Sequence, residues 1–222
     1  MNLDEQSRSI TIAIIDDHDV VHAGIEAWCA DADTEIRVVA NYSRPDDFLA
    51  DVSRAAVGVV ILALQFDGLK PDFDSVRRLC ENGETVIVYS NLSADEVILT
   101  CLDIGAVTYL VKSEGKRHLI DAICEARSAS PYVGPRMGRA LLNDSTLGRV
   151  KLSDREREVL VAWFQTESKE LVGKRLYIAP TTVRTHLQRA RAKYALVGRS
   201  APTKSALLAR AIEDGILSAN DL

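Results

Sequence analysis

The chain has 222 residues, enough for two ordinary domains rather than one small one. Hydrophobic residues make up 47% and charged residues 27%, the balance of a folded globular chain; no apolar run reaches the ~20 residues of a membrane span. The net charge of −5 hides a division: residues 1–148 carry 13 Lys+Arg against 24 Asp+Glu, whereas residues 149–222 carry 14 against 8. The start, Met1-Asn2-Leu3-Asp4-Glu5-Gln6, has neither a basic segment nor a hydrophobic signal stretch, which predicts a cytoplasmic protein. Cys29, Cys80, Cys101 and Cys124 form no CxxC pair, so they are expected as buried thiols rather than a disulfide framework or a zinc knuckle.

The first 130 residues alternate strands and helices. Ile10–Ile15 is a β-rich apolar run that ends abruptly in Asp16-Asp17. A helical segment, 20–30, follows, then a strand at Ile36–Ala40 and a helix from Pro45 to Ala56 with proline in its first turn. Val57–Leu62, Val86–Tyr89 and Val107–Val111 supply three more strands, with helices near 72–80, 94–104 and 116–128. Short, continuously apolar strands separated by helices predict a parallel, doubly wound α/β sheet covered on both faces. Such sheets place their sites at the carboxyl ends of the strands, which here bear Asp16, Asp17, Ala63, Ser90 and Lys112.

Ile-Ile-Asp-Asp-His at 14–18, Val-Ile-Val-Tyr-Ser at 86–90 and Gly-Ala-Val-Thr-Tyr-Leu-Val-Lys at 105–112 resemble the flavodoxin-like receiver domain of bacterial response regulators. The resemblance implies that Asp16 and Asp17 bind Mg²⁺, that Ser90 and Lys112 switch with a phosphoryl group, and that an Asp ending the third strand accepts it. A carboxylate is the nucleophile of that chemistry, the metal neutralises phosphoryl oxygens, and the lysine supplies a compact positive charge. Here Ala63 occupies the acceptor position, and a methyl group forms no acyl phosphate. Asp67 lies four residues further on, too far to substitute without rearrangement. With one acid fewer, the Mg²⁺ site is weakened and Lys112 is free to pair with Asp16 or Asp17. The expectation is a receiver that does not switch by phosphorylation and is constitutive, or governed by a ligand or partner.

His18 and His22, at i and i+4, have the spacing of a zinc pair, but the expected Glu and a third ligand are missing. No phosphate-binding P-loop and no GxSxG elbow occurs, so the chain is not expected to be an enzyme.

Breaks at 130–135 and 143–148 mark residues 129–150 as a connector with a short helix near 136–142. In the basic half, Ser153-Asp154-Arg155-Glu156 is a capping box that opens a helix bearing Val159, Leu160 and Trp163. A second helix is expected at 169–176, a turn at 177–179 and a third helix from Pro180. On that third helix Val183, Leu187, Ala190 and Tyr194 form the apolar stripe, and Thr181, Arg184, Thr185, Gln188 and Arg191 face the other way. Residues 171–212 contain nine basic residues and no acid, which points to a polyanion partner. Arginine, glutamine and threonine are also suited to guanine, adenine and the thymine methyl of a major groove.

Leu-Ser-Asp-Arg-Glu-Arg-Glu-Val-Leu at 152–160, Lys-Glu-Leu-Val-Gly-Lys-Arg-Leu at 169–176 and Thr-Thr-Val-Arg-Thr-His-Leu at 181–187 closely resemble the LuxR/NarL helix-turn-helix output domain. The resemblance implies that Arg184, Thr185 and Gln188 face bases, with Lys169, Thr182, His186, Arg189 and Lys193 in backbone or supporting contacts. It further implies a homodimer on double-stranded DNA paired through a last helix near 203–214, with Leu207, Leu208 and Ala211 as the dimer residues. Ala179 stands where the family has a serine cap.

The reading is therefore a receiver over residues 1–128, a connector over 129–150 and an all-α helix-turn-helix domain over 151–222. Together they make a DNA-binding transcriptional regulator without a membrane segment, controlled by a sensor kinase or a small-molecule ligand. Two other readings stand beside it: a conventional phosphorylation switch whose acceptor was replaced by engineering, and a metal-dependent α/β enzyme with a basic accessory domain.

Overall fold

The computed structural model describes residues 9–66, 70–128, 131–144, 150–166 and 168–216. Five strands, Ile10–Ile15 (β1), Ile36–Tyr42 (β2), Val59–Leu62 (β3), Val86–Ser90 (β4) and Thr108–Val111 (β5), pair in parallel in the order β2-β1-β3-β4-β5. Successive side chains leave a strand on opposite faces, so the apolar runs feed two cores. Ala13, Ile15, Val60, Leu62, Val86 and Val88 pack on one side of the sheet, and Ile12, Ile14, Val59, Ile61 and Ile87 on the other.

The helices Asp19–Ala30 (α1) and Lys116–Glu125 (α5) cover the second face. Pro45–Ala50 (α2), Phe73–Glu81 (α3) and Asp95–Ile104 (α4) cover the first. The α2 helix stops well short of the Ala56 read from sequence. The Asp51 carboxylate accepts from the Ser53 N–H at 3.0 Å and from its hydroxyl at 2.7 Å, a local bond that competes with the next helical turn. All four cysteine thiols are free, and Cys124 is the one not fully buried.

The stretch read as a connector carries the helix Pro135–Asn143 (α6), which joins the receiver core by burying Met137, Ala140 and Leu141 in it. Its ends are tied to α4: Arg136 pairs with Asp95, and the Asn143 amide donates to the same carboxylate at 2.8 Å. Those two bonds hold the Asp95 carboxyl below the usual range.

The basic half has its own core, built from Asp154–Phe164 (α7), Lys169–Leu176 (α8), Pro180–Leu196 (α9) and Lys204–Glu213 (α10). The capping box forms as read: the Glu156 N–H donates to Ser153 Oγ at 3.2 Å, and the Ser153 N–H donates to Glu156 Oε2 at 2.9 Å. Between α8 and α9 the backbones approach so closely that a Cβ on Gly173 would lie 2.6 Å from the Ile178 carbonyl oxygen. Only glycine fits there without a shift of the backbone.

Two of the three residues expected to pair protomers through α10 are used by the domain's own core. Leu207 and Ala211 are buried in the domain core, and Leu208 packs partly against it. The helix turns Ile212, 44% exposed, outward instead. Their i, i+4 spacing serves the core because α10 has a single apolar stripe to spend.

Candidate functional site

The carboxyl ends of β1, β3, β4 and β5 bring Asp16, Ala63, Ser90 and Lys112 to one edge of the sheet, as a doubly wound topology requires. Asp16 is 2% exposed. Its Oδ2 receives the Lys112 ammonium at 2.6 Å, and its Oδ1 accepts from the His18 backbone N–H at 3.0 Å. His18 Nδ1 stands 3.0 Å from the same oxygen and 2.8 Å from Asp17 Oδ1. Ser90, 3% exposed, uses its hydroxyl oxygen to accept from the Leu92 N–H at 3.2 Å. The Tyr109 hydroxyl donates to the Leu92 carbonyl at 2.8 Å, and the ring is fully buried. Asp67 lies outside the described residues.

Asp16, Asp17 and His18 each offer a ligand atom within 4.8 Å of the others, the one such group among the described residues. Magnesium does not fit this donor set. Both oxygens of Asp16 are engaged, the third carboxylate is absent, and an imidazole nitrogen is not the oxygen ligand that this cation selects. Nor do His18 and His22 converge on a metal: His22 is buried on α1 and stands apart from that group.

The second candidate site is α9. Its expected open face is partly covered: Thr185 and Gln188 are buried and Thr181, Arg184 and Arg191 half-buried, and Thr182, His186, Arg189 and Lys193, expected in backbone or supporting contacts, are buried as well. Part of the cover is the receiver. The Thr182 hydroxyl donates to the Cys80 carbonyl at 3.0 Å, and the Gln188 amide donates to the Ser128 carbonyl. Gly105 ends α4 with φ +138, and a Cβ there would stand 3.1 Å from Cys80 Cβ and 3.2 Å from Thr182 Cγ2. His186 lines a cleft of about 370 Å³ with Cys80, Thr100 and Ile104 of the receiver.

The rest of the cover is the domain itself. Lys193 donates to Glu156 Oε2 at 2.9 Å and to the Lys151 carbonyl at 3.1 Å. Thr185 donates to the Thr181 carbonyl one turn back at 3.1 Å. Arg189 is fully buried, with one nitrogen 2.7 Å from His186 Nδ1 and Nε 3.9 Å from Glu156 Oε1. Its Nε and Nη1 have no hydrogen-bond partner among the described residues. Burial, with Arg189, Arg155 and Lys193 nearby, holds the His186 imidazole well below its ordinary value, so it stays neutral and accepts from Arg189. Arg184 and Lys169 are half-buried, and burial beside Arg127 draws the Arg184 guanidinium down.

Glu156 was read only as a helix cap, yet it is also the counter-charge of Lys193 and a neighbour of Arg189. An acid-free stretch of nine cations was the available signal, because any of them that becomes buried needs a carboxylate from elsewhere.

A receiver joined to a helix-turn-helix output defines a transcription regulator rather than an enzyme. Residues 12–124, more than half of the chain, match the response regulator receiver domain, and residues 150–202 match the bacterial regulatory proteins of the luxR family. The chain belongs to the response regulators with a luxR-type output domain. It is 23% identical over 186 residues to the transcriptional regulatory protein LiaR of Bacillus subtilis, covering 80% of this chain and 87% of that one. It is 26% identical over 198 residues to the nitrate/nitrite response regulator NarL of Escherichia coli K12, covering 85% and 91%. Among solved structures, RcsB of Salmonella enterica serovar Typhimurium bound to a promoter superposes with a TM-score of 0.56 at 18% identity, covering 91% of this chain and 98% of that one. Among the described residues no helix is long and apolar enough to cross a membrane.

Proposed function

We propose that this response regulator works without an acyl phosphate at the end of β3, and that its receiver holds the DNA-reading helix closed until some other event releases it. The observation that carries this reading is the burial of α9. Thr182 and Gln188, two residues suited to a duplex, are bonded to receiver carbonyls while the acceptor position holds Ala63. When released, α9 would enter a major groove with Arg184, Thr185 and Gln188 toward the bases. Lys169, Thr182, His186, Arg189 and Lys193 would serve phosphates or support the helix. Two protomers on an inverted repeat suit the class, and RcsB is described as two dimers bound to two DNAs. Leu208 and Ile212 then become the apolar residues of α10 open to a partner.

The test is duplex binding by the full chain and by residues 149–222, which contain a core of their own. The apparent Kd of a partly closed protein is its intrinsic Kd divided by the open fraction, so the isolated half should bind about tenfold tighter or more. Log affinity should fall with log salt at ~0.9 per neutralised phosphate. Treatment with acetyl phosphate should give no acid-labile band on Phos-tag electrophoresis and no change in binding. A phosphorylated band, or equal affinity of the two chains, would overturn the reading.

A further inference from the structure

The covering of α9 leaves an open pocket at the junction. It encloses about 330 Å³, within the range of small-molecule sites. Pro131 and Val133, from the stretch leading into α6, form one wall; Ala195, Leu196 and Pro202 form the other. Among the described residues, Arg191 is the one formally charged residue that lines it. The Arg191 guanidinium rests over the Trp163 ring, 5.5 Å from its centroid, and its Nε is buried without a hydrogen-bond partner. Burial draws that guanidinium down, with no carboxylate opposite to hold it up.

Gln188 is the second polar group of the wall. It is 2% exposed, and its Nε2 is committed to the Ser128 carbonyl. Its Oε1 is buried with no donor among the described residues. Buried acceptors are normally satisfied; this oxygen has no exposed surface as it stands, but Gln188 lines the open volume, so a small shift of its side chain brings the acceptor to a ligand donor. A partly desolvated arginine asks for a planar anion, which it binds by charge-assisted bonds. Ser200, exposed, also lines the pocket, and the rest of the lining is apolar. One positive charge does not match a polyphosphate, and the volume does not suit a folded partner.

We propose that this pocket binds a small hydroxylated monocarboxylic acid, with its carboxylate on Arg191, its hydroxyl donating to Gln188 Oε1 and its apolar body between Val133 and Leu196. The acid contacts both halves of the closed junction and so stabilises the closed form. This effect rests on the reading of α9 as the DNA-binding helix; the binding itself does not.

The experiment uses the full chain with 4-hydroxybenzoate as the probe, followed by thermal shift and by fluorescence anisotropy with a labelled duplex at fixed low salt. A saturable rise in melting temperature is expected. At ten times its own Kd the acid should weaken apparent duplex affinity about tenfold, since it binds the closed form alone. Benzoate, lacking the hydroxyl, should bind more weakly, and 4-hydroxybenzyl alcohol, lacking the carboxylate, should not shift the protein. Arg191→Gln should abolish the shift. Arg191 lies on the DNA-reading helix, so Ala195→Phe, on the same helix but at an exposed position, provides the second variant: it fills the pocket with the guanidinium intact and removes the acid's thermal shift, the readout that does not depend on duplex binding. No saturable shift at millimolar acid, or an equal shift in both variants, would overturn the proposal. If the chain binds duplex but ignores the acid, the pocket assignment alone fails. If it never binds duplex, the regulator reading fails, while an Arg191-dependent thermal shift would keep the pocket.

Discussion

Arg189→Met should make the protein more stable. The guanidinium is fully buried, and two of its nitrogens, Nε and Nη1, have no hydrogen-bond partner among the described residues. Each such orphaned group costs about 1–3 kcal/mol. Glu156, its nearest carboxylate, keeps a partner without it: Oε2 receives Lys193 and the Ser153 N–H, both at 2.9 Å, while Oε1, 3.9 Å from Arg189 Nε, has no hydrogen bond among the described residues even with the arginine present. Losing the bond to His186 Nδ1 returns roughly 1 kcal/mol in the other direction. Methionine has a similar reach and an adaptable chain, so the volume is refilled without a clash. Removing one partner of a buried pair is costly when it strands the other charge, but Glu156 keeps Lys193 at 2.9 Å, so that penalty is avoided. A net gain of about 2 kcal/mol corresponds to about 4–8 °C in the melting temperature of a chain this long. Far-UV circular dichroism melts of the full chain at neutral pH read it directly. A fall in melting temperature would show that Arg189 is held by favourable bonds in the closed state, and the reasoning would be refuted. The same variant should bind duplex at least about tenfold more weakly, because closure is strengthened and a cation is lost.

Lys112→Met should lower stability by about 2–3 kcal/mol, read as a shift in urea midpoint, because it strands the buried Asp16 carboxylate. An unchanged midpoint would mean that the pair contributes nothing. His186 should make the fold acid-sensitive. Its pKa is depressed below 6.5 in the native state, so the unfolded chain binds the proton first. Stability is then full above pH 6.5 and falls below it by up to about 1.4 kcal/mol per pH unit until the native-state pKa is reached. His186→Gln should flatten that part of the denaturation profile. Ala179 caps α9 with no side-chain bond, so Ala179→Ser should add about 0.5–2 kcal/mol if the new hydroxyl reaches the helix N–H groups; an unchanged melting temperature would show that it does not.

The sheet was legible because its signals are local. A strand buried on both faces is apolar at every position, and the polar residues that follow it mark its carboxyl end. The capping box at Ser153 and the proline opening α9 were legible for the same reason. The covering of α9 was not. Thr185 and Gln188 read as part of an open face, and Thr182, His186 and Arg189 as backbone or supporting contacts, because polar residues on a basic helix usually face outward, and nothing within α9 encodes the Cys80 and Ser128 carbonyls that bond Thr182 and Gln188. The docking of α6 was hidden in a similar way. Met137, Ala140 and Leu141 are an ordinary helical stripe, and only the fold puts the α4–β5 face beside them.

The two departures of this chain, the missing acceptor and the covered helix, meet at α4. Lys112 is committed to Asp16, and Ser90 and Tyr109 both bond the backbone of Leu92, in the loop that leads into α4. The far end of α4 carries Cys101 and Ile104, then Gly105, whose neighbours are Cys80 and Thr182. In a receiver with an acid at position 63, Lys112 and Ser90 would have a phosphoryl group to move toward. On the proposed reading they are already satisfied here, and the edge of the sheet offers no chemical step that would shift α4. Release would then act on the junction itself. The closed state contains the means: Arg184, Arg189 and Arg191 each keep at least one buried nitrogen unpaired while α9 is covered. Each is a closing cost that a row of phosphates would remove. A duplex is then both the target of α9 and a competitor for it, and the closed form sets how much of the intrinsic affinity is spent on opening.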